Sequence, residues 1–202
     1  MAIFLASIIG YLFGSVPFAL VIGKVFYQTD VREHGSGNLG GTNAGRTLGA
    51  KAGIAVAVLD VLKATISMTV GYLLLKDPNA ILATGFFATI GHCYPLFANF
   101  KGGKAVSTSM GFLLGISIFL SHQVILHFIV PLLIFFIVLF LSKMVSLSAM
   151  ISITSASIIL FVSQKNLHIS IAFLIVNMIV ILRHRTNIKR IIDGSENKIK
   201  WI

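Results

Sequence analysis

A series of apolar windows sets the solvent for this chain, each about as long as the helix that crosses roughly 30 Å of hydrocarbon. They fall at residues 2–22, 52–75, 79–98, 105–121, 124–142, 145–163 and 166–183. In lipid every backbone amide must be bonded inside its own segment or a closed sheet, and runs this long are satisfied by helices. The expected fold is therefore an all-α integral membrane protein, a bundle of about seven transmembrane helices forming one domain over 1–202. Composition agrees, since 56% hydrophobic and 11% charged residues with a mean hydropathy of +0.96 do not suit a water-soluble domain. The 105–142 stretch is punctuated only by Ser121-His122-Gln123, so five or six full crossings stay open.

The cations set the orientation. With seven crossings, Lys76 and Lys165 fall on one side, and the loop cations, from Lys24 and Arg32 through Lys101 and Lys143 to Lys198 and Lys200, fall on the other. Positive charge stays in the cytoplasm, which puts the N-terminus outside and the C-terminus inside. This asymmetry also explains most of the net charge of +10 without nucleic acid, for which no motif is present. No cation precedes Lys24, so a cleaved leader is not expected. Cys93 is the single cysteine, and His122 and His127 are spaced off the helical i, i+4 pattern. Neither a disulfide, a metal nor a cofactor is expected.

Three polar islands interrupt the apolar sequence: Gly35 to Arg46, Gly91 to Thr108 and His184 to Lys198. All three fall on the cytoplasmic face in this arrangement. Gly35, Gly37 and Gly40 fit G-x-G-x-x-G, but no strand precedes them, so a dinucleotide fold is excluded on context. A Walker A loop fails because Gly41 stands where lysine is needed and Ala105 follows Lys104. The shared physics survives: glycines let backbone N–H groups approach an anion, and Lys104 after Gly102-Gly103 suits a phosphate cradle. The plainer alternative is that these glycines turn tight loops or pack helices.

The acidic residues are few, and none follows a histidine by four; no G-x-S-x-G elbow is present either. Such a set favours cationic and hydrogen-bonding catalysis on a substrate that arrives activated and phosphorylated. Here the islands become specific. Ser36-Gly37-Asn38-Leu39-Gly40-Gly41-Thr42-Asn43-Ala44-Gly45-Arg46, the run GHCYPLFANFKGGKAVST from Gly91, and His184 to Lys198 resemble the three motifs of the bacterial membrane-integral, acyl-phosphate-dependent glycerol-3-phosphate acyltransferases. The resemblance implies transfer of a fatty acyl group from acyl phosphate to the 1-position of sn-glycerol 3-phosphate, giving lysophosphatidic acid. It implies a bacterial inner-membrane location among membrane lipids, with a soluble acyl-phosphate-producing enzyme as a candidate partner.

By that resemblance Ser36 and Arg46 are the essential pair of the first motif. Gly102, Gly103 and Lys104 form the glycerol-phosphate loop, His184 and Asn187 support activity, and Glu196 is structural. Ala105, Ser107 and Ile191 depart mildly from the family's usual glycine, alanine and leucine. Lys143-Met144-Val145-Ser146-Leu147-Ser148 resembles a short family segment that would bring Ser146 to the pocket. The resemblance thus assigns Ser36, Arg46, Lys104, His184 and Asn187 to catalysis, and Gly37, Asn38, Gly40, Thr42, Asn43, Gly102, Gly103, Ser146 and Glu196 to substrate binding.

Physical chemistry supports several of these roles. Arg46 can grip phosphate oxygens with a planar fork, whereas Lys104 acts as a compact charge. Ser36 and Asn38 can donate to phosphate or to the oxygen that gains charge as the carbonyl becomes tetrahedral. Thr42 and Asn43 are equally served by helix capping after a glycine turn. His92, beside Cys93 and before Pro95, is expected to fix its loop and take no part in the chemistry. Asp60 and Lys63, i and i+3 inside an apolar span, must face the interior; they either neutralise each other or lend positive potential beneath the phosphate site. Lys198, Lys200 and Trp201 are expected at lipid headgroups. Two other classes remain: a transporter for a phosphorylated solute would call for inverted repeats, which the halves do not display, and a non-catalytic scaffold would leave the islands unexplained.

Overall fold

The computed structural model describes residues 1–199, so Lys200 and Trp201 lie outside the described residues. Its elements are α1 (Ala2–Gly14), α2 (Phe18–Tyr27), α3 (Gly41–Leu48), α4 (Ala50–Leu75), α5 (Pro78–Cys93), α6 (Val106–Phe119), α7 (Val130–Ser142), α8 (Val145–Ser163), α9 (Leu167–Arg183) and α10 (Arg185–Ile192). A 3-10 turn at Leu96–Ala98 follows α5, and a π turn at Ile125–Ile129 leads into α7. Among the described residues there is no strand.

Local chemistry sets several boundaries. Pro17 lacks an N–H and disfavours helical geometry at Val16, so α1 and α2 are separate helices within one apolar stretch of 26 residues. Asp77 accepts a hydrogen bond from the Ala80 N–H at 2.8 Å, with Pro78 at the first position of α5. Asn166 caps α9 by accepting from the His168 N–H at 3.0 Å.

Each of the seven apolar windows contains a helix, but the lengths differ. Five stretches, Ala2–Tyr27, Ala50–Leu75, Pro78–Ala98, Ile125–Ser142 and Val145–Ser163, are long and apolar enough to cross a membrane. Helices α9 and α10 make a sixth only if counted as one span bent by 57°. Helix α6 has 14 residues, a rise of about 21 Å. By length and apolarity five or six of the seven window helices qualify as spans, and α6 is the one that falls short. Hydropathy measures the apolar run and does not register where the backbone enters it as a turn.

The chain forms two compact units, Met1–Gly115 and Ile116–Ile202. In the first, α1 lies directly on α5: a Cβ on Gly10 would collide with the Thr84 backbone, and one on Gly14 with the Ala88 backbone. Such small-residue contacts let helices approach where lipid offers no hydrophobic drive. Phe112 of α6 is wholly buried and packs by Gly85, where a methyl would strike both its ring and Met68. A separate apolar cluster joins Ala19, Leu20, Val31, Leu39, Ala44, Val56 and Ala98.

The second unit is stitched by side-chain hydroxyls. Ser152 Oγ donates to Pro131 O at 2.6 Å, and Ser170 Oγ donates to Leu160 O at 3.0 Å. Buried His127 stands 2.8 Å from Ser121 Oγ and 2.7 Å from Ser163 Oγ, which ties the π turn to the end of α8. In both units large apolar side chains face outward, among them Phe4, Ile54, Leu74, Phe140, Leu141 and Val162. That surface suits a hydrocarbon environment.

Candidate active site

The first island is a loop held down at two points. Val31 and Leu39, 0% and 2% exposed, enter the apolar cluster, and the residues between them arch away from it. Asn43, in the first turn of α3 and buried, organises the arch. Its Oδ1 accepts from the Ser36 N–H at 2.8 Å and from Ser36 Oγ at 3.2 Å, while its Nδ2 donates to Val31 O at 2.9 Å. Gly35 has φ +60, and a side chain there would strike Asn43 Oδ1, so glycine is required on conformational and steric grounds. Asn43 is thus used as scaffold for Ser36, while Ser36 and Thr42 are exposed. Asn38, Gly37 and Gly40 lie half-buried along the same arch.

The cations of this region have different employments. Arg32 binds Asp30 through Nε and Nη2 at 2.9 and 2.6 Å, and Lys24 stands 3.4 Å from the same carboxylate. Hydrogen bonding to the Arg32 guanidinium holds the Asp30 carboxyl well below the usual carboxylate range, against a smaller opposing effect of burial. Arg46, in the last turn of α3, is exposed and makes no ion pair among the described residues. Its fork remains available to an anion.

The second island folds back on the end of α5. After the turn at Leu96–Ala98, the Gly102 N–H donates to Cys93 O at 3.2 Å and the Gly103 N–H to His92 O at 3.1 Å. The expectation that these two N–H groups converge on a phosphate therefore does not hold, because they close the turn instead. The glycines are needed for close approach. A Cβ on Gly102 would strike His92 O and Pro95, and one on Gly103 would strike the His92 imidazole. His92 does fix its loop. Lys104 is half-buried beyond the turn, Ala105 has φ +62, and α6 starts at Val106, so the lysine stands beside the positive end of a helix. In the first turn of α6 the hydroxyls of Thr108 and Ser109 are buried without a hydrogen-bond partner among the described residues. Neither hydroxyl was singled out from the sequence.

Ala98 of the second island belongs to the same apolar cluster as Val31, Leu39 and Ala44 of the first. Two segments more than forty residues apart in sequence therefore stand on one foundation, one bringing Ser36 and Arg46 and the other bringing Lys104. Asp60 and Lys63 are 1% and 3% exposed and pair at 2.8 Å, so they face the interior as their spacing requires.

The third island closes the second unit. His184 ends α9, and its Nδ1 lies 2.7 Å from Val180 O. A carbonyl only accepts, so Nδ1 carries the proton and the neutral ring has its basic nitrogen at Nε2. Glu196, 8% exposed, returns onto α8 and α10. Its Oε1 accepts from Ser146 Oγ and from Asn187 Nδ2, both at 2.7 Å, and its Oε2 accepts from Arg190 Nε at 2.7 Å. Burial alone would raise its pKa, but hydrogen bonds from Ser146, Arg190 and Asn187 outweigh it and hold the carboxyl below its ordinary range. Arg190 was not singled out from the sequence, although its position six residues before Glu196 was the available signal. Further along, the Ile199 N–H donates to Lys143 O at 2.8 Å, which joins the chain after Glu196 to the start of the Lys143–Ser148 segment. Lys198 is exposed. No group of three or more metal-ligating side chains exists among the described residues.

Comparison with known proteins bears on this geometry. Residues 4–194 match the family model described as glycerol-3-phosphate acyltransferase. The chain is 47% identical over 203 residues to a glycerol-3-phosphate acyltransferase of Bacillus subtilis (strain 168), covering 100% of both chains. It is also 47% identical over 201 residues to one of Listeria monocytogenes, covering 98% of this chain and 97% of the relative. Two crystal structures of PlsY, an integral membrane glycerol 3-phosphate acyltransferase, are similar in fold. The glycerol 3-phosphate form gives a TM-score of 0.88 at 32% identity, and the lysophosphatidic acid form 0.85 at 31%. Each comparison covers 99% of this chain and 96% of the other.

Proposed function

Because the chain belongs to the glycerol-3-phosphate acyltransferase family, we propose that its islands take an acyl group from acyl phosphate and pass it directly to the 1-hydroxyl of sn-glycerol 3-phosphate. The protein is a multi-pass membrane acyltransferase that converts glycerol 3-phosphate to lysophosphatidic acid. The donor, the direct transfer and the residue roles are the proposal. The observation that carries it is the common foundation under the first two islands, with Ser36 braced by Asn43 and the cations Arg46 and Lys104 on the two segments. Two phosphorylated substrates call for two cations. The family match runs through both units, which supports one catalytic domain over the chain.

In the proposed step the glycerol hydroxyl oxygen attacks the acyl carbonyl carbon. The carbonyl–phosphate C–O bond breaks, and inorganic phosphate leaves with the bonding electrons. The hydroxyl proton passes to a substrate phosphate oxygen. Arg46 holds phosphate oxygens through its fork, and Lys104 adds a point charge. Ser36 Oγ donates to phosphate or to the developing oxyanion, an interaction worth about 3 kcal/mol in comparable sites. Gly37, Asn38, Gly40, Thr42 and Asn43 shape that arch, and Gly102 and Gly103 shape the turn that presents Lys104. Asn187 and Ser146 act through Glu196. No protein nucleophile is required: Cys93 is fully buried, and the activated donor already carries a good leaving group. The protein then contributes proximity and charge. Labelled phosphate is expected not to exchange into acyl phosphate when glycerol 3-phosphate is absent; exchange, or an acyl group trapped on Ser36 or Cys93, contradicts direct transfer.

With all seven window helices crossing, α6 included, the positive-inside rule supports placing the three islands at the cytoplasmic face of the bacterial inner membrane, with the N-terminus outside. A soluble enzyme that makes acyl phosphate would meet the protein on that side. Single cysteines at His34, Lys101 and Ser195, all exposed, placed in a Cys93→Ser background, should react with an impermeant maleimide in inverted vesicles and not in intact cells. Labelling of any one from outside contradicts the placement.

A further inference from the structure

Lys63 Nζ lies 2.8 Å from Asp60 Oδ1, 2.8 Å from His92 Nδ1 and 3.1 Å from Val16 O. These contacts tie α4 to the end of α5 and to the break between α1 and α2, and the Phe18 ring centroid stands 5.8 Å from the ammonium. Neutralising Asp60 would need only the i, i+3 neighbour on the same helix. Here the lysine reaches two further segments as well.

The donor inventory decides the state of His92. An ammonium has three N–H groups and no lone pair, whereas a carboxylate and a carbonyl only accept. Asp60 is closer to Lys63 than to His92, 2.8 against 3.5 Å, which assigns the positive charge to the lysine. The ammonium hydrogen-bonds to His92 Nδ1 and Val16 O, with Asp60 Oδ1 as its ion-pair partner, and because it can only donate, His92 Nδ1 must present a lone pair. In the neutral ring the proton therefore sits on Nε2. That nitrogen faces the second island, for a methyl on Gly103 would collide with it. The carbonyl of the same histidine accepts the Gly103 N–H, and the next carbonyl accepts the Gly102 N–H. One residue thus supports the Gly102–Lys104 turn with its ring and with its backbone.

We propose that Asp60, Lys63 and His92 are positioning residues: the lysine fixes His92 as the Nε2–H tautomer, and the fixed ring holds the Gly102–Lys104 turn in the form that accepts glycerol 3-phosphate. The proposal rests on the reading of that turn as part of the substrate phosphate site. It assigns the buried charges a task beyond cancelling each other, carried out through the loop and without contact with the reacting atoms.

Two measurements on the full-length protein in detergent test it. The first needs no activity: with ¹⁵N-labelled histidine, and with the His92 signals identified by their loss in His92→Gln, the wild type should show Nδ1 unprotonated and Nε2 protonated. The second uses Lys63→Met and the double variant Asp60→Leu/Lys63→Met. In Lys63→Met the single tautomer should give way to a mixture, and KM for glycerol 3-phosphate should rise about tenfold while kcat changes less than about threefold. The double variant removes both charges, so it should regain thermal stability close to wild type, as buried pairs exchanged for apolar residues commonly do, yet keep the raised KM. A wild-type Nδ1–H signal, or a double variant with wild-type KM, overturns the proposal and reduces the pair to mutual neutralisation. A wild type that makes no lysophosphatidate strikes the acyltransferase reading instead, while the tautomer measurement still decides the network.

Discussion

Arg46→Lys should lower kcat/KM roughly a hundredfold, about 2.7 kcal/mol, without loss of folded protein. The reason lies in how the arginines are used. Arg32 is engaged with Asp30 and Arg190 with Glu196, whereas Arg46 makes no ion pair among the described residues and stands exposed on the last turn of α3. A lysine there keeps the charge and the favourable position at a helix C-terminus, but it loses the planar pair of donors that fits phosphate. Arg32→Lys is the control and should stay within a few-fold of wild type. Steady-state kinetics on both variants check the contrast, and wild-type behaviour of Arg46→Lys would make that arginine a topology charge only.

Glu196→Ala should be the most destabilising single change in the third island. It leaves the Asn187 amide, the Ser146 hydroxyl and one Arg190 N–H without their shared acceptor. Each bond to a charged acceptor contributes about 1.5–3 kcal/mol, and even a net loss of about 3 kcal/mol lowers Tm by on the order of 10 °C for a chain of this size. Glu196→Gln should lose less, since its amide oxygen can still serve Ser146 and Asn187 while its NH2 opposes the Arg190 N–H. The pH dependence has a definite sign. The folded carboxyl titrates below its unfolded value, so its stabilisation is complete above the ordinary glutamate range and is lost as pH falls through the lower, folded value. Thermal melts across acidic pH should therefore show a steeper acid loss in wild type than in Glu196→Gln. Equal acid slopes would mean that the carboxylate adds nothing to the fold.

The parts legible in the sequence were those written in contiguous residues. The apolar windows located every long helix because hydrocarbon length is a local property, and the motif blocks located Ser36, Arg46 and Lys104 together. What stayed hidden depends on backbone direction or on partners distant in sequence. The shortness of α6, the break at Pro17 and the π turn at Ile125–Ile129 do not alter an average hydropathy. The glycines at 102 and 103 suggested open N–H groups, yet the turn spends them on Cys93 O and His92 O. Asn43 offered capping or ligand contact on equal terms, and its use as a brace for Ser36 follows from a loop path that no periodicity encodes. Likewise the pairing of Lys63 with His92 spans 29 residues, and only the packed helices reveal it.

The most direct test of the proposed chemistry is lysophosphatidate formation by the purified protein in detergent, with labelled glycerol 3-phosphate and either palmitoyl phosphate or palmitoyl-CoA as donor. Palmitoyl phosphate should support the reaction, with initial-velocity lines that intersect when both substrates are varied, and palmitoyl-CoA should not support it. Product formed from palmitoyl-CoA and none from palmitoyl phosphate would contradict the proposed donor and the two-phosphate site built around Arg46 and Lys104.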